Sequence, residues 1–412
     1  MSKIRKLIKT PRLFFRDYLN KRVQGNERPY SALKPKPNTV GKAVAKPVAS
    51  IAGMDSRNFN RFKKYKYYLH NGEGIKAGTG QLNMWLPLLI SIRVPFLLII
   101  RDKNLYDWTL KNYSTIDVAY AKGPGDVGDL VALSRGVPLA LYISSTGNNI
   151  HLVRFEEIRH CFIGHGDSEK ASSAHKALRM FDEIWVAGQA HIDRFKNKPF
   201  NTDSLKFVKV GRPTLIDALQ KSITPWQERG DTKILYLPTW EGSNYKNDYS
   251  SVRFAKQLLG ICSTCATVHA KLHPFTGNRD KGISDSESLL DSAFKGDLKV
   301  SIIPSRVPLV DILDGYNFFV CDISSVVTEC LALDAPIFLF YPKDVEIEIA
   351  ASNIKFDDYC YVFSNLDELE SMLNRVLSGD DFKKAKRREA IDYFIGLEET
   401  RRFKILEALE TS

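Results

Sequence analysis

Short apolar runs recur along the chain from about residue 64, and stretches of helical periodicity separate several of them. The runs are 95–100, 116–120, 138–143, 160–163, 183–187 and 207–210, and the helical stretches include 149–158, 171–180 and 189–197. Alternation of this kind is typical of βα units, in which helices cover both faces of a parallel sheet. The pattern therefore predicts an α/β domain over residues 64–227.

A second series of apolar runs begins at "KILYLPTW" and predicts another α/β domain over residues 228–378. It continues through "ATVHAKLHP", "LKVSII", "NFFVCD" and "APIFLFYP", with helices expected near 248–260 and 324–333. A long polar helix is expected to follow over residues 379–412. The two units join near 213–230, so the pattern predicts two Rossmann-like domains that face a cleft.

The first 22 residues form a pattern of their own, with Leu, Ile and Phe on one side and Lys and Arg on the other. Eight Lys or Arg residues stand against the single acid Asp17, and Pro11 is expected to kink or restart the helix. The segment predicts a basic amphipathic helix on an anionic membrane surface, or one docked on the protein itself. Residues 23–63 are poor in bulky side chains over much of their length and predict a flexible linker.

Net charge and hydropathy exclude several classes of protein. Seven of the eleven net positive charges lie in residues 1–22, so the rest of the chain lacks the charge expected of a nucleic-acid binder. The most apolar stretch, 85–100, is broken by Pro87, Arg93 and Pro95 and predicts core packing instead of a membrane span. The chain has no apolar signal-peptide core, no P-loop, no GxSxG elbow and no acid-rich metal loop.

Four loops follow predicted strands and carry polar side chains. They are 164–168 (GHGDS), 238–242 (PTWEG), the His273-Pro274 pair, and 322–325 (DISS). Ligands of open α/β sheets bind at the carboxyl ends of the strands, so these loops are expected to line the cleft. Two further loops, 145–149 (STGNN) and 210–214 (VGRPT), are additional candidates for phosphate binding.

Histidines and a helix-opening serine pair in one cleft suit attack on a phosphate-linked donor. A histidine takes the proton of an acceptor hydroxyl. A helix start and a cation stabilise the negative charge that develops on the leaving phosphate. The glycines that flank His165 leave room for an acceptor, so this histidine is the predicted general base.

The motifs "ILYLPTWEG", "KLHPF" and "VCDISSVVTECLALDAPIFLFYP" together resemble the CDP-glycerol glycerophosphotransferase family, the teichoic-acid and capsule polymerases, over about residues 135–370. "YISSTGNNIHLVRF", "FIGHGDSEKASS" and "DEIWVAG" resemble a branch of that family outside the wall-teichoic systems. The resemblance implies a GT-B fold and metal-independent transfer, without a cofactor, from a CDP-activated donor. The chain departs from the family at Ile323, at Glu329 and in the Gly-His-Gly-Asp segment.

Carried over by position, the resemblance puts His165 near the acceptor, His273 near the donor phosphates, and Ser324 and Ser325 on a phosphate. The predicted donor contacts are Thr239, Trp240, Glu241, Ser324, Ser325, Arg212 and Lys271, supported by Gly164, Gly166, Asp167, Ser168, Pro274, Asp322 and Glu329. The expected partners are CDP-glycerol or another cytidine-nucleotide donor and a lipid-linked or polymeric glycan acceptor. The expected location is the cytoplasmic face of the bacterial inner membrane, as a peripheral protein, with no nucleic-acid partner.

A second enzymatic interpretation stays open at this point. Sialyl-, polysialyl- and Kdo-transferases that make bacterial capsules also combine GT-B folds and CMP donors with an HP motif and a serine pair. Their acidic Asp/Glu-Asp/Glu-Gly motif is absent from this chain. A cytidine-nucleotide donor is common to both interpretations.

Overall fold

The computed structural model describes residues 54–58, 64–165, 171–242, 248–343, 345–347, 349 and 352–410. Eight strands form the first sheet: β1 (Met54–Asn58), β2 (Tyr67–Asn71), β3 (Phe96–Ile100), β4 (Asp117–Ala121), β5 (Leu139–Tyr142), β6 (Arg159–Phe162), β7 (Glu183–Val186) and β8 (Lys206–Lys209). Their order is β1-β4-β3-β2-β5-β6-β7-β8. β1 is antiparallel to β4, and the other pairs are parallel.

Helices cover this sheet on both faces. They are α1 (Ile75–Ile92), α2 (Lys103–Asn112), α3 (Pro124–Leu133), α4 (Ile150–Val153) and α5 (Gln189–Lys196). The next helix, α6 (Ile216–Lys221), packs instead into the core of the second sheet, where Ala218 and Leu219 are buried. Short 3₁₀ helices lie at Gly147–Asn149, Ala171–Ala174, Lys176–Met180, Pro213–Leu215 and Trp226–Glu228. Buried side chains pack on the two faces in separate clusters, as expected of a sheet with helices on both sides.

The second sheet is entirely parallel. Its strands are β9 (Lys233–Leu237), β10 (Thr267–Lys271), β11 (Val300–Ile303), β12 (Phe318–Asp322), β13 (Ile337–Phe340) and β14 (Tyr361–Phe363), in the order β11-β10-β9-β12-β13-β14. Its helices are α7 (Ala255–Cys265), α8 (Ser286–Ala293), α9 (Val326–Leu331), α10 (Phe356–Tyr359) and α11 (Leu366–Leu377). Further 3₁₀ helices lie at Ser251–Phe254, Lys281–Ile283, Leu309–Asp311 and Leu313–Gly315.

With β1 set aside, the strand order reverses at the same place in both sheets. The switch lies between β2 and β5 in the first sheet and between β9 and β12 in the second. Crevices at such switch points are where open α/β sheets bind ligands. The predicted α/β architecture is confirmed, and it supplies two neighbouring binding edges.

Four predicted elements differ from the structure: two helices and the linker, described here, and the helix predicted over 379–412, described below. The helix predicted over 149–158 is confined to α4, and the one predicted over 171–180 is two 3₁₀ helices. The predicted linker 23–63 contains strand β1, whose edge pairing to β4 depends on partners 60 to 67 residues away. Residues 1–22, predicted to form the membrane-surface helix, lie outside the described residues.

The single helix predicted over 379–412 is three helices, α12 (Lys384–Ile395), α13 (Leu397–Arg402) and α14 (Lys404–Glu410). The chain turns at Gly396 and at Phe403, whose φ angles are 67° and 58°. Helix α12 packs into the core of the second sheet. Phe403, Ile405 and Leu409 cross back and are buried in the core of the first sheet. The carboxyl-terminal segment therefore belongs to both domains.

Strand composition explains the burial of both sheets. All five residues of β3 (FLLII) and all four of β13 (IFLF) are buried. Continuous apolar runs suit parallel strands that are covered on both faces. The apolar stretch 85–100 is divided between the end of α1 and β3, and most of it is core, as predicted. Across the residues that the structure describes, no helix combines the length and apolar character needed to span a bilayer.

Candidate active site

His165 lies just past the end of β6, at the carboxyl edge of the first sheet. Its Nδ1 is 2.8 Å from the carbonyl oxygen of Ile143. A carbonyl oxygen only accepts hydrogen bonds, so Nδ1 carries the proton and donates it. The neutral ring therefore keeps its lone pair on Nε2, which is the form that a general base requires.

The backbone before this histidine is fixed by two contacts. Gly164 has a φ of 63°, a left-handed conformation that glycine adopts without strain. Its carbonyl oxygen accepts a 2.8 Å hydrogen bond from the indole N–H of Trp85 on α1. The position of His165 is thus set by α1 and by the residue that follows β5.

The environment of His165 favours its neutral form. The residue is exposed to the cleft, but protein surrounds the ring on most sides and desolvates it, which lowers its pKa. The bond to Ile143 raises the pKa, and the positive charge of Arg212 lowers it again. The net effect is a pKa below the ordinary histidine value.

Another histidine, His191, contacts the chain at Ser173, eight residues after His165. His191 on α5 donates from Nε2 to the carbonyl oxygen of Ser173, at 2.8 Å. Burial lowers the pKa of His191 to about 4, so it is neutral at physiological pH. The predicted supporting residues Gly166, Asp167 and Ser168 lie between these two anchors and outside the described residues.

On the second domain, His273 belongs to a cluster of three rings. It stacks on Trp240 with centroids 6.1 Å apart and meets the edge of Phe275 at 5.5 Å. Its Nδ1 accepts a 3.0 Å hydrogen bond from the backbone N–H of Phe275. In the neutral ring the proton is consequently on Nε2, so His273 is a donor where His165 is an acceptor.

Glu241 organises the loop that follows His273. Its carboxylate accepts backbone N–H groups from Gly277 (3.1 Å), Arg279 (2.7 Å) and Asp280 (3.0 Å). Burial raises its pKa, but these bonds and one to its own N–H lower it by more, and the net shift is downward. Both carboxylate oxygens thus accept hydrogen bonds from the backbone of this loop. A direct contact of Glu241 with the donor stays a prediction.

Asp322 joins three elements beneath the cleft. One carboxylate oxygen accepts the backbone N–H groups of Thr239 (2.8 Å) and Ser251 (3.0 Å), and the other accepts the Ser251 hydroxyl at 2.5 Å. The residue is completely buried at the end of β12. Asp322 thus ties the loop after β9 and the segment at Ser251 to the end of β12, and its supporting role at the donor site stays a prediction.

Ser324 and Ser325 follow β12 directly and precede α9. The hydroxyl of Ser324 donates to the carbonyl oxygen of Asp322 at 3.2 Å. The side chain of Ser325 makes no capping bond to α9, although it stands at the N-cap position. Both serines are partly exposed and lie at the switch point of the second sheet.

The register of the parallel strands brings these loops together. Tyr236 of β9 is aligned with Ala270 of β10 and with Val320 of β12. Trp240, His273 and Ser324 each follow within four residues of those aligned positions. A cavity of about 550 Å³ lies at the ends of β10 and β11, with His273, Pro274 and Ser305 in its wall, whereas Trp240 and Ser324 do not line it. This volume is within the range of small-molecule sites, roughly 300–1,000 Å³.

Three charged residues join the two domains at the cleft floor. Arg212, just after β8, has a terminal nitrogen 3.8 Å from a carboxylate oxygen of Glu329 on α9. Arg212 is 7% exposed, and its Nε has no hydrogen-bond partner. Burial raises the pKa of Glu329, which the charges of Arg212 and Lys271 lower in part. Lys271 in turn donates to the carbonyl oxygen of Ser305 at 3.0 Å.

Several residues of the site carry no signal in the sequence. Trp85 contacts Gly164 from 79 positions away, and Ser251 contacts Asp322 from 71 positions away. His191 reaches Ser173 across 18 positions. None of them stands in a short motif, so only the fold reveals what they do. The described residues contain no cluster of three or more His, Cys, Asp or Glu side chains placed to hold a metal ion.

Comparison with known proteins places this geometry in a family. The family model for CDP-Glycerol:Poly(glycerophosphate) glycerophosphotransferase matches residues 163–406, which is more than half of the chain. No curated protein matches the chain.

Solved structures show the same fold. The wall teichoic acid polymerase TagF aligns with a TM-score of 0.57 at 12% identity, over 87% of this chain and 90% of that chain. A histidine-to-asparagine variant of that polymerase soaked with CDPG aligns with a TM-score of 0.56 at 12% identity, over 87% and 90%. A glycosyltransferase from Rickettsia africae ESF-5 aligns at 0.50 and 13% identity, over 85% and 99%.

The predicted GT-B fold is therefore confirmed, with one domain on each side of the cleft. The motifs that carry the resemblance in the sequence fall, from His165 onward, inside the matched region. The chain belongs to the CDP-glycerol:poly(glycerophosphate) glycerophosphotransferase family and is a transferase of that type.

Proposed function

We propose that the protein transfers a glycerol-phosphate, or related polyol-phosphate, group from a CDP-activated donor to a hydroxyl of a teichoic-acid-like or other cell-surface glycan acceptor. The observation that carries this proposal is the fixed tautomer of His165 in a chain of this family. Its Nδ1 proton is committed to Ile143, so Nε2 is ready to take the proton of the acceptor hydroxyl.

The opposite tautomer of His273 suits the donor side of the reaction. The acceptor oxygen forms a bond to the phosphorus that carries the polyol, and the pyrophosphate P–O bond breaks, so CMP leaves. The Nε2–H of His273 donates to a phosphate oxygen of the donor, and so do the hydroxyls of Ser324 and Ser325. Hydrogen-bond donors that are already positioned at the phosphate lower the activation barrier, because they stabilise the negative charge that develops there in the transition state.

Cations complete the donor side of the proposal. Arg212 is buried, carries an unpartnered Nε, and is 3.8 Å from its acidic partner, so a phosphate has a hydrogen-bond donor to recruit there. Lys271 is the second cation at this edge. Independence from metal ions stays a prediction, which the rate of transfer after treatment with EDTA measures.

The test is transfer of label from CDP-glycerol by the wild type and by His165→Ala. General-base catalysis contributes typically 10²–10⁴-fold, so turnover is expected to fall by about that factor while CDP binding is unchanged. The matched control is His175→Ala, which removes an exposed histidine from the segment that follows the same loop. A His165→Ala protein that keeps more than about a tenth of the wild-type turnover contradicts the base assignment.

The donor panel includes CMP-sialic acid and CMP-Kdo, since a capsule glycosyltransferase uses these instead. Transfer from a CMP-sugar without transfer from CDP-glycerol contradicts the proposed donor. Attachment to the membrane through residues 1–22 and a location at the cytoplasmic face of the inner membrane belong to the same proposal.

A further inference from the structure

A second polar cluster lies at the switch point of the first sheet, between the ends of β2 and β5. Arg101, just after β3, is 6% exposed and extends across this edge. It donates to the carbonyl oxygens of Ala121, Lys122 (2.8 Å) and Asn148 (3.1 Å). It also contacts His70 Nε2 at 3.4 Å and His151 Nδ1 at 2.8 Å.

No carboxylate of the described residues contacts the guanidinium of Arg101, and the negative charge of Asp126 acts on it only from beyond ion-pair distance, offsetting part of the lowering of its pKa by burial. All of its partners are carbonyl oxygens or imidazole nitrogens, and it forms no ion pair within the described part of the chain. A buried charge without an opposite charge is costly, and a bound anion offsets that cost. The cluster is therefore unlike Arg387, whose guanidinium is paired with Asp381 and Asp334.

Arg101 also fixes the tautomers of both histidines. A guanidinium only donates, so the contacted nitrogens are acceptors, and the protons are on His70 Nδ1 and His151 Nε2. His70 is completely buried, and its Nδ1 has no hydrogen-bond partner. His151 is partly exposed, and no described residue accepts a hydrogen bond from its Nε2–H. The edge thus presents one oriented donor to an incoming ligand.

The surroundings of His151 are positive. Its pKa is lowered by burial and then by the charges of Arg101 and Arg154. Because the ring is neutral and its Nδ1 accepts from a cation, its Nε2–H is polarised toward an acceptor outside. Across the crevice, the side-chain amide of Asn148 donates to the carbonyl oxygen of Gly72 at 3.1 Å, so the two walls are held together.

We propose that this crevice binds a phosphate group of the acceptor, with His151 Nε2–H as the direct donor and Arg101 as the charge behind it. The inference rests on the proposed function with a teichoic-acid-like acceptor, whose chain is built from phosphodiesters, and it assigns the loop 145–149 to the acceptor side. The crevice and His165 lie at the same edge of the sheet, because Tyr142 of β5 is aligned with both His70 and Phe162. A phosphate bound there places the following hydroxyl of the acceptor toward the base.

The kinetic test compares His151→Ala and His151→Gln with the wild type, using CDP-glycerol and two acceptors. One acceptor is a short oligomer of glycerol phosphate, and the other is an uncharged glycerol glycoside. Loss of a hydrogen bond to a charged group corresponds to roughly a 10- to 100-fold change, so His151→Ala is expected to raise the KM of the charged acceptor by about that factor. Its kcat and the KM of CDP-glycerol are expected to stay unchanged, and Gln restores binding because its amide supplies an N–H.

The binding test measures thermal stabilisation by sn-glycerol 3-phosphate and by inorganic phosphate, in the presence of saturating CDP so that the donor site is filled. Stabilisation of the wild type that is lost in His151→Ala and kept in His175→Ala supports the site. Equal stabilisation of all three proteins overturns it, as does a His151→Ala protein with an unchanged KM for the charged acceptor.

Two further outcomes are informative. One distinguishes a lipid headgroup from a soluble acceptor as the source of the phosphate, and the other distinguishes failure of the proposed function from failure of the phosphate site. If His151→Ala loses binding to phosphatidylglycerol vesicles but keeps its response to the soluble phosphates, the crevice serves a lipid headgroup and the acceptor proposal is overturned. If CDP fails to stabilise the wild type and no cytidine donor supports transfer, the proposed function fails. Stabilisation by phosphate without CDP still reports on the crevice in that case.

Discussion

At the scale of single residues, the two catalytic candidates differ in which nitrogen holds the proton. The backbone sets that difference, through the carbonyl of Ile143 for His165 and the N–H of Phe275 for His273. Neither partner is a side chain, so substitutions elsewhere in the loops leave the tautomers in place. Backbone control of this kind assigns the acceptor role to one ring and the donor role to the other.

The lowered pKa of His165 has a consequence for the dependence of rate on pH. Protonation removes the lone pair, so activity is lost as pH falls through the pKa of the folded protein. Because that pKa lies below the ordinary histidine value, the acid limb of kcat/KM is expected to have its midpoint below about pH 6.5. A pH series with CDP-glycerol measures it. An acid limb centred above that value contradicts the assignment, as does the same limb in the residual activity of His165→Ala.

At the scale of elements, the segment between β12 and α9 is the one that links packing to chemistry. Asp322 is buried and ties β12 to the loop after β9, whereas the next two polar residues, Ser324 and Ser325, are partly exposed. Neighbouring positions thus differ in burial, with the structural contacts on Asp322 and the proposed donor contacts on the two serines. The sequence alone does not show this division, because an acid and two serines at a helix start fit capping equally well.

Substitution of the serines distinguishes the two roles. Ser324→Ala and Ser325→Ala are each expected to raise the KM of the donor by roughly 10- to 100-fold, from the loss of a hydrogen bond to a charged phosphate. The melting temperature is expected to stay close to that of the wild type, since Ser325 makes no capping bond. Kinetics and thermal unfolding of each variant measure this. Early melting with normal affinity for CDP shows that the serines have only a structural role.

The sequence predicts the strands better than the helices, for a physical reason. Parallel strands such as β3 and β13 are continuous apolar runs that any alternative structure exposes to water. The segment 171–180 has weaker periodicity, and its 3₁₀ form is stabilised by distant contacts such as the one from His191 to Ser173. The histidines and serines of the site stand in recognisable motifs, whereas Trp85, Ser251 and Arg101 become part of it only through the fold.

At the scale of the whole molecule, the cleft depends on contacts between the first domain and the carboxyl-terminal segment, which belongs to both domains. Arg212 donates its backbone N–H to the hydroxyl of Thr400 at 2.6 Å. Asp193 of α5 accepts from the hydroxyl of Tyr393 on α12 at 2.8 Å. A Cβ added at Gly211 comes within 2.3 Å of the backbone nitrogen of Thr400. The two backbone segments therefore approach each other with no side chain between them at this point. The domains that carry His165 and His273 are therefore joined through these contacts.

The segment 1–22 gives a prediction at the same scale. Eight basic residues at roughly 1 kcal/mol each near an anionic leaflet are sufficient for reversible attachment. Deletion of residues 1–22 is expected to release the protein from phosphatidylglycerol vesicles, and to leave its melting temperature and its affinity for CDP unchanged. Vesicle sedimentation at physiological salt measures it, with phosphatidylcholine vesicles as the uncharged control. Retention of the truncated protein on the anionic vesicles contradicts the prediction.

The return of Phe403, Ile405 and Leu409 to the first sheet bears on how the protein is made. A ribosome releases the strands of the first domain long before it synthesises these three residues. Domains generally fold as units during synthesis, in the order in which they emerge. Here the domain that emerges first keeps part of its apolar face uncovered until residues 403–409, which follow the second domain, have been synthesised. A chain released before these residues are synthesised therefore exposes an apolar surface for chaperones and proteases to recognise.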